Sequence, residues 1–241
     1  MLASSRSGDV ITLELQRPQR RNALNLELVG LLHDAVVQAA EQARVIVLTG
    51  QGTVFSAGAD LDGIDNEDFL TALQAMLVTI ESVPVPVIAA LNGGAYGAGV
   101  QLALASDLRV LDPNASIAIP AAKLGISVDN WTMKRLVSLV GGGPARTMLM
   151  GAGTISAADA YTHGFANRIG TLADAQQWAE SIAELAPLSL QHMKLVLNDD
   201  GTRTEATDDQ LTALHRAWSS ADAKEALAAR GEKRTPKFEG R

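Results

Sequence analysis

The chain contains no cysteine, which excludes disulfides, thiolate metal sites and a cysteine nucleophile. It also lacks a basic excess. The formal net charge is −7, which argues against a long groove for nucleic acid and leaves room only for a local basic patch facing phosphates. No apolar run approaches the ~20 residues of a membrane-spanning helix. The first ten residues, MLASSRSGDV, carry no hydrophobic core segment, so no secretory signal and a cytoplasmic location are expected. No repeat recurs at a fixed period, and no low-complexity linker divides the chain.

Several motifs are missing as well. No G-x-G-x-x-G opens a helix after a strand, and no Gly-Lys-Ser/Thr phosphate loop occurs. The stretch VFSAG resembles a nucleophile elbow, but Val54 stands where the first glycine is needed. The aspartates between Asp60 and Asp68 do not follow calcium-loop spacing and read as a solvated acidic loop. His33, His163, His192 and His215 are isolated, none with a partner at metal-ligand spacing. No metal is expected.

What is present is a soluble globular composition, with 47% hydrophobic and 20% charged residues over 241 positions. That length suits one large domain, or one domain with an appendage. Branched apolar residues at 10–15 predict a strand, and the continuous apolar runs at 44–49 and 87–91 predict strands buried on both faces. Shorter strands are expected at 108–111 and 116–119. Helical spacing marks 26–40, 67–81 and 129–140, the last with Asp129 as a candidate N-cap. Gly141, Gly142 and Gly143 before Pro144 read as a helix break. Alternating strand and helix predict an α/β core. From Ser156 onward helices at about 156–163, 172–186, 188–197, 204–219 and 222–230 follow one another with no convincing strand. The boundary is drawn as a core over 1–185 and a helical oligomerisation region over 186–241.

Two segments combine a buried strand, a loop of small residues and an immediate helix start: VIVLTGQGTVFSAGADL and VIAALNGGAYGAGVQL. Helix starts carry free N–H groups and the positive end of a dipole. Small residues let a ligand atom come close to those groups. Two such N–H groups from separate loops can hold one oxygen as it gains negative charge. Tight turning and close packing alone would also account for the glycines and alanines.

These segments, with RPQRRNALN, ISAADAYTHGFANRIG and the terminal EKRTPKF, stand in the order and spacing of the crotonase, or enoyl-CoA hydratase/isomerase, superfamily. The chain resembles that family over almost its whole length, and mycobacterial members in particular. The resemblance implies a spiral of β-β-α units and a C-terminal helical region that drives trimerisation, with two trimers commonly stacked as a hexamer. It implies binding of acyl-CoA thioesters in fatty acid metabolism, with no cofactor beyond the coenzyme A of the ligand. It assigns the backbone N–H groups of Ala59 and Ala98 to an oxyanion hole. Arg20 and Arg21 fall on a loop that lines coenzyme A. Ala57, Ala59, Asp60 and Leu61 fall where adenine and pantetheine are contacted. Lys233 matches a basic residue that reaches the phosphates from a neighbouring subunit. For Arg20, Arg21 and Lys233 plain solvation is the alternative.

The chain departs from the family at the chemistry. Hydratases use two glutamates, one to activate water and one to assist proton transfer at the α-carbon. By motif position the first is Gln101 and the second, after Pro120, is Ala121. A glutamine donates and accepts hydrogen bonds but takes up no proton near neutral pH. Losing a positioned acid or base costs ~10²–10⁴-fold in rate. Three readings of function remain: an acyl-CoA-binding protein with little hydratase activity, an active thioester enzyme, hydratase or isomerase, or an oligomeric scaffold that has lost ligand binding. Asp129 matches an aspartate that some isomerases of the family use as a base, and it equally suits a helix N-cap. Trp131 either narrows the acyl pocket or packs as an ordinary core aromatic. Leu73, Met76, Leu77 and Ile80 share one helix face and line either an acyl channel or the core.

Overall fold

The run Val45–Gly50 is buried at all six positions and Val87–Leu91 at all five. A strand this apolar on both faces must lie inside a sheet covered on each side. The computed structural model, which describes residues 1–60 and 67–240, builds that sheet. Its chain order is β1 (Leu2–Ser7), β2 (Val10–Leu15), α1 (Leu26–Gln42), β3 (Val45–Gly50), β4 (Val54–Ser56), α2 (Glu67–Ser82), β5 (Val87–Leu91), β6 (Gly94–Tyr96), α3 (Ala98–Ala105), β7 (Leu108–Leu111), β8 (Ser116–Ala118), α4 (Asn130–Val140), α5 (Gly142–Leu149), β9 (Thr154–Ser156), α6 (Ala157–Thr162), β10 (Arg168–Ile169), α7 (Leu172–Ala183), α8 (Pro187–Asn198), α9 (Asp208–Trp218) and α10 (Ala221–Gly231).

Two sheets share this chain. The larger has the order β1-β2-β3-β5-β7-β10 and the smaller β4-β6-β8-β9. From β2 to β10 every pairing in the larger sheet is parallel, and only β1 runs antiparallel. The units β3-β4-α2, β5-β6-α3 and β7-β8-α4 repeat one pattern. The first strand of each joins the larger sheet, the second joins the smaller, and a helix follows. The fold class is therefore α/β, built from β-β-α units, with helices closing the C-terminal end.

Several expectations need correction. The strands β4 and β6 are three residues long and sit inside the two loops. Glycine-rich sequence around them hides them, because their pairing comes from the smaller sheet and not from local propensity. β1 was not anticipated either; its exposed, polar run pairs along β2 over its whole length. The stretch after Ser156, expected to be purely helical, contains β10, which extends the larger sheet. The helix break expected at the glycines is present: Gly141, with φ +79, ends α4, and α5 starts at the next residue.

Candidate functional site

The two turns touch backbone to backbone. Gly58 has φ +90, and a Cβ there would lie 2.5 Å from the carbonyl oxygen of Tyr96 and 3.2 Å from the nitrogen of Ala98. No L side chain fits that approach. Gly93 and Gly99 likewise press on Thr53 and Ser56. These glycines serve close packing of one turn on the other. Gly97 is different: it has φ +51 and only open space where its Cβ would be.

Ala59 pairs with Leu24 in an isolated parallel bridge. Leu24 donates to Gly58 O at 2.8 Å and Asp60 N–H donates to Leu24 O at 2.7 Å. Ala59 N–H, between them, donates to no described residue. Ala98 opens α3 directly after Gly97, and the first N–H of a helix has no partner within it. Both alanines line one cavity of about 980 Å³. So two unpartnered backbone donors, from turns locked together by Gly58, face the same space.

The cavity also gathers Arg20, Arg21, Ala57, Asp60, Gln101, Ala121 and Asp129. Leu61 lies outside the described residues. Arg21 and Arg20 stand on the short 3-10 turn Pro18–Arg20 and its left-handed cap, φ +50 at Arg21. That loop is held from beneath by Asn22, whose Nδ2 donates to Gln51 O (2.9 Å) and Val54 O (2.7 Å) and whose Oδ1 accepts from Arg17 N–H. Asp60 is engaged as well, its Oδ2 2.9 Å from Arg17 Nη2. Asp60 thereby ties the first turn to the Arg17 loop.

Gln101 lies one turn into α3 and is only 7% exposed. Its Nε2 donates to Asp129 Oδ2 at 3.0 Å and to Thr132 Oγ1 at 2.7 Å. Thr132 Oγ1 in turn donates to Asp129 Oδ2 at 2.7 Å, and Thr132 N–H donates to Asp129 Oδ1 at 2.9 Å. Asp129 is thus the N-cap of α4 and also borders the cavity; its carboxylate accepts from all of these donors. Ala121 begins a second 3-10 turn, Ala121–Leu124, and presents only a methyl group.

Apolar lining comes from Phe69, Leu70, Leu73 and Leu77 on α2 and from Ile119, Leu124, Ile126 and Val128. Of the face expected on α2, Leu73 and Leu77 reach the cavity while Met76 and Ile80 are fully buried core. Trp131 does not line the cavity. It is buried in the core, donates from Nε1 to Glu81 Oε1 at 3.0 Å, and lies under Arg203, whose guanidinium is 4.2 Å from the ring centre.

Sequence reasoning missed the contribution of the C-terminal helices. Leu214 and Trp218 of α9 and Leu227, Arg230 and Gly231 of α10 close the cavity's far wall. Trp218 Nε1 donates to Ser127 O at 2.9 Å, which pins α9 over the loop before α4. Arg230 adds a cation to that lining. Lys233, the expected basic residue, is exposed and is not part of this lining. Thr132 was missed too. Its i,i+3 relation to Asp129 was the available signal, since that spacing is what an N-cap uses.

The comparisons with known proteins agree with one another. A family model described as enoyl-CoA hydratase/isomerase matches residues 5–241. The probable enoyl-CoA hydratase echA6 of Mycobacterium leprae (strain TN) is 50% identical over 249 residues, covering 100% of both chains. The 2,3-dehydroadipyl-CoA hydratase of Escherichia coli (strain K12) is 34% identical over 254 residues, covering 100% of this chain and 99% of its own. Among solved structures, an enoyl-CoA hydratase/isomerase from Pseudoalteromonas atlantica T6c superposes with a TM-score of 0.90 at 28% identity, covering 99% of each chain. A methylmalonyl-CoA decarboxylase complexed with 2S-carboxypropyl-CoA gives 0.91 at 23% identity over 100% of this chain and 98% of its own, a likeness of fold alone.

Proposed function

This chain belongs to the enoyl-CoA hydratase/isomerase family, and from that premise we propose that it binds acyl-CoA thioesters while catalysing little or no hydration. The observation that carries this reading is the pairing of two unpartnered backbone donors with the absence, among the described residues, of a free acid or base beside them. The thioester oxygen accepts from Ala59 and Ala98 N–H. Arg20, Arg21 and Arg230 in the cavity lining offset the charge of the coenzyme A phosphates, with Ala57 and Asp60 along the pantetheine path. The acyl chain runs along Leu73, Leu77 and Ile126. No cofactor is required beyond the coenzyme A of the ligand itself.

Hydration needs a base for water and an acid for the α-carbon. Gln101 supplies neither function, and the methyl group of Ala121 supplies no polar atom. The oxyanion contacts and binding remain, but each missing proton donor or acceptor costs about 10²–10⁴-fold in rate. A second reading, an isomerase with Asp129 as base, is favoured by the placement of Asp129 on the cavity wall. The carboxylate there already accepts from Gln101 and Thr132, which leaves it less free to receive a proton from a substrate.

The assembly implied by the family reading is a homotrimer or a dimer of trimers acting in lipid metabolism. The apolar face around α8 supports self-association: Leu188 is 78% exposed, and Leu195 and Leu197 are each 71% exposed. Monomeric soluble proteins rarely leave such a patch open. In a trimer Lys233 would be free to reach a neighbouring ligand.

The deciding experiment titrates the chain with butyryl-CoA and crotonyl-CoA by calorimetry and follows loss of the crotonyl double bond optically. Binding of both with negligible turnover is expected. Brisk hydration would overturn the reading, and turnover that disappears in Asp129→Ala would establish the isomerase alternative. Binding of neither thioester would reduce the chain to an oligomeric scaffold.

A further inference from the structure

Every residue of α3, from Ala98 to Ala105, is buried. The last carbonyls of a helix have no partner within it, so in the interior they need donors from elsewhere. Ser106 Oγ supplies one to Leu102 O at 2.9 Å without any charge. Cations meet the neighbouring carbonyls. Arg109 Nη1 donates to Ala103 O at 3.1 Å and to Ser106 O at 2.7 Å, and Arg135 Nε donates to Leu104 O at 3.3 Å. Arg109 also donates from Nε to Phe165 O.

The two cations differ in what balances them. Arg135 faces the carboxylate of Asp200, as the nearby Lys194 faces that of Asp107. Arg109 is only 3% exposed, and among the described residues it belongs to no ion pair. Its partners are carbonyl dipoles. Burial lowers its pKa to about 10, with Arg135 pushing the same way and Asp107 opposing, so at neutral pH it is a cation. A neutral donor would satisfy the same oxygens, and a buried charge is the more expensive way to do it. The charge is the feature that capping alone leaves unexplained.

Its place on α3 supplies a use. Eight residues put the two ends of this helix about 12 Å apart. A helix carries roughly half a positive charge at its N-terminus and half a negative one at its C-terminus. A guanidinium seated on the C-terminal carbonyls cancels the negative pole and leaves the positive pole unopposed. That positive pole is Ala98 N–H, which faces the cavity without a partner. Because α3 lies in the interior, salt screens little of this field.

We propose that Arg109, acting through α3 from its far end, strengthens the donor at Ala98 N–H and so raises the preference of the cavity for a polarised carbonyl. The inference rests on the acyl-CoA reading above and adds a residue to it that touches no part of the ligand. Arg109 is a positioning residue in the electrostatic sense: it sets the field at an atom it does not contact. No bond is made or broken.

The test compares two ligands that differ only at the carbonyl. The full chain is titrated by calorimetry with butyryl-CoA and with S-butyl-CoA, the thioether that has a methylene group in place of the carbonyl. The parent is expected to prefer the thioester by about ten-fold, the worth of two neutral hydrogen bonds. Arg109→Gln keeps donors for the helix carbonyls and removes the charge. It should lower the preference about three-fold, the size of a unit charge acting on a partial one over this distance. The infrared carbonyl stretch of bound butyryl-CoA, labelled with carbon-13 at the carbonyl, should also move towards its value in water. Arg109→Lys keeps the charge and should keep both values. A purely structural role would weaken the two ligands together and leave the stretch in place. Should Arg109→Gln fail to fold, Arg135→Gln removes the second cation from the same helix end and should shift the ratio and the stretch in the same direction. A preference and a stretch unchanged in the folded variant overturn this inference and leave the acyl-CoA reading standing. Equal losses in Arg109→Lys and Arg109→Gln overturn the charge as the cause. Equal binding of thioester and thioether by the parent removes the carbonyl grip and this inference with it. Binding of neither overturns the acyl-CoA reading as well.

Discussion

Two polar regions of the molecule adjoin α2 and obey opposite rules. Below its C-terminal end, where α8 and the 200–204 loop pack, charged side chains are buried and fully paired. Lys194 is 6% exposed, donates to Ile80 O and Val85 O, and sits 2.8 Å from Asp107 Oδ2. Arg135 pairs with Asp200, and Arg203 grips Glu81 through both Nε and Nη2. In the cavity, the polar atoms that matter are uncharged and unpaired: Ala59 N–H and Ala98 N–H. The contrast separates architecture from recognition. A buried charge without its partner is too costly to keep, so the first region is closed to ligands. Neutral backbone and amide groups cost less to leave open, so the second can wait for one.

The sharpest way to break this comparison is to unpair a charge. Lys194→Met should leave Asp107 buried without its cation and lower stability by about 3–5 kcal/mol, read as a fall in melting temperature, with acyl-CoA affinity per folded molecule unaffected. A mutant as stable as the parent would show that the α8 network is not structural. Next in size is Gly58→Ala. Its methyl collides with Tyr96 O and its φ is unfavourable, so the two turns must separate, with an expected loss of about 1–3 kcal/mol in stability and of most thioester binding by calorimetry.

A smaller and more specific effect is expected from Ala98→Pro. Proline is tolerated at the first position of a helix but has no N–H to give. Thioester affinity should fall about five-fold, the worth of one neutral hydrogen bond, while the melting temperature barely moves. An unchanged affinity would remove Ala98 from the site.

The smallest effect is one of pH. Burial raises the pKa of Glu81 above the ordinary carboxylate value, against the opposing pull of Arg203, Arg135 and the Trp131 hydrogen bond. A raised folded-state value means the folded chain holds that proton more firmly than the unfolded chain. This contribution to stability is complete below the unfolded pKa and is lost as pH rises through the folded one. On acidification from pH 7 to 4 the parent should therefore lose less stability than Glu81→Gln, measured by thermal unfolding across that range. The reverse order would show that the ion pair outweighs burial.

The contrast also explains which features were legible beforehand. The two turns, Gln101 and Ala121 are local: a buried strand, small residues and a helix start adjoin in sequence, so the order of residues reveals them. The strands β4 and β6 did not stand out, since three residues carry no period and gain their pairing only from neighbours in the smaller sheet. For Thr132 the local spacing to Asp129 was legible, but its contact with Gln101 was not, because that needs α3 and α4 side by side. Trp131 was ambiguous for the same reason, and only its contact with Glu81 and Arg203 assigns it to the core. The closing wall from Trp218 and Arg230 depends on where α9 and α10 fold back, which no local pattern encodes.

The sequence by itself determined the buried strands, the backbone turns and the residue types at Gln101 and Ala121, because those depend on side-chain type and on neighbours in the chain. Tertiary structure alone decided that the two turns share one cavity, that the C-terminal helices roof it, and that the Gln101 amide donates to Asp129 and Thr132. Those depend on which groups meet across space, and a hydrogen-bonding atom acquires its function only when its partners, or their absence, are fixed.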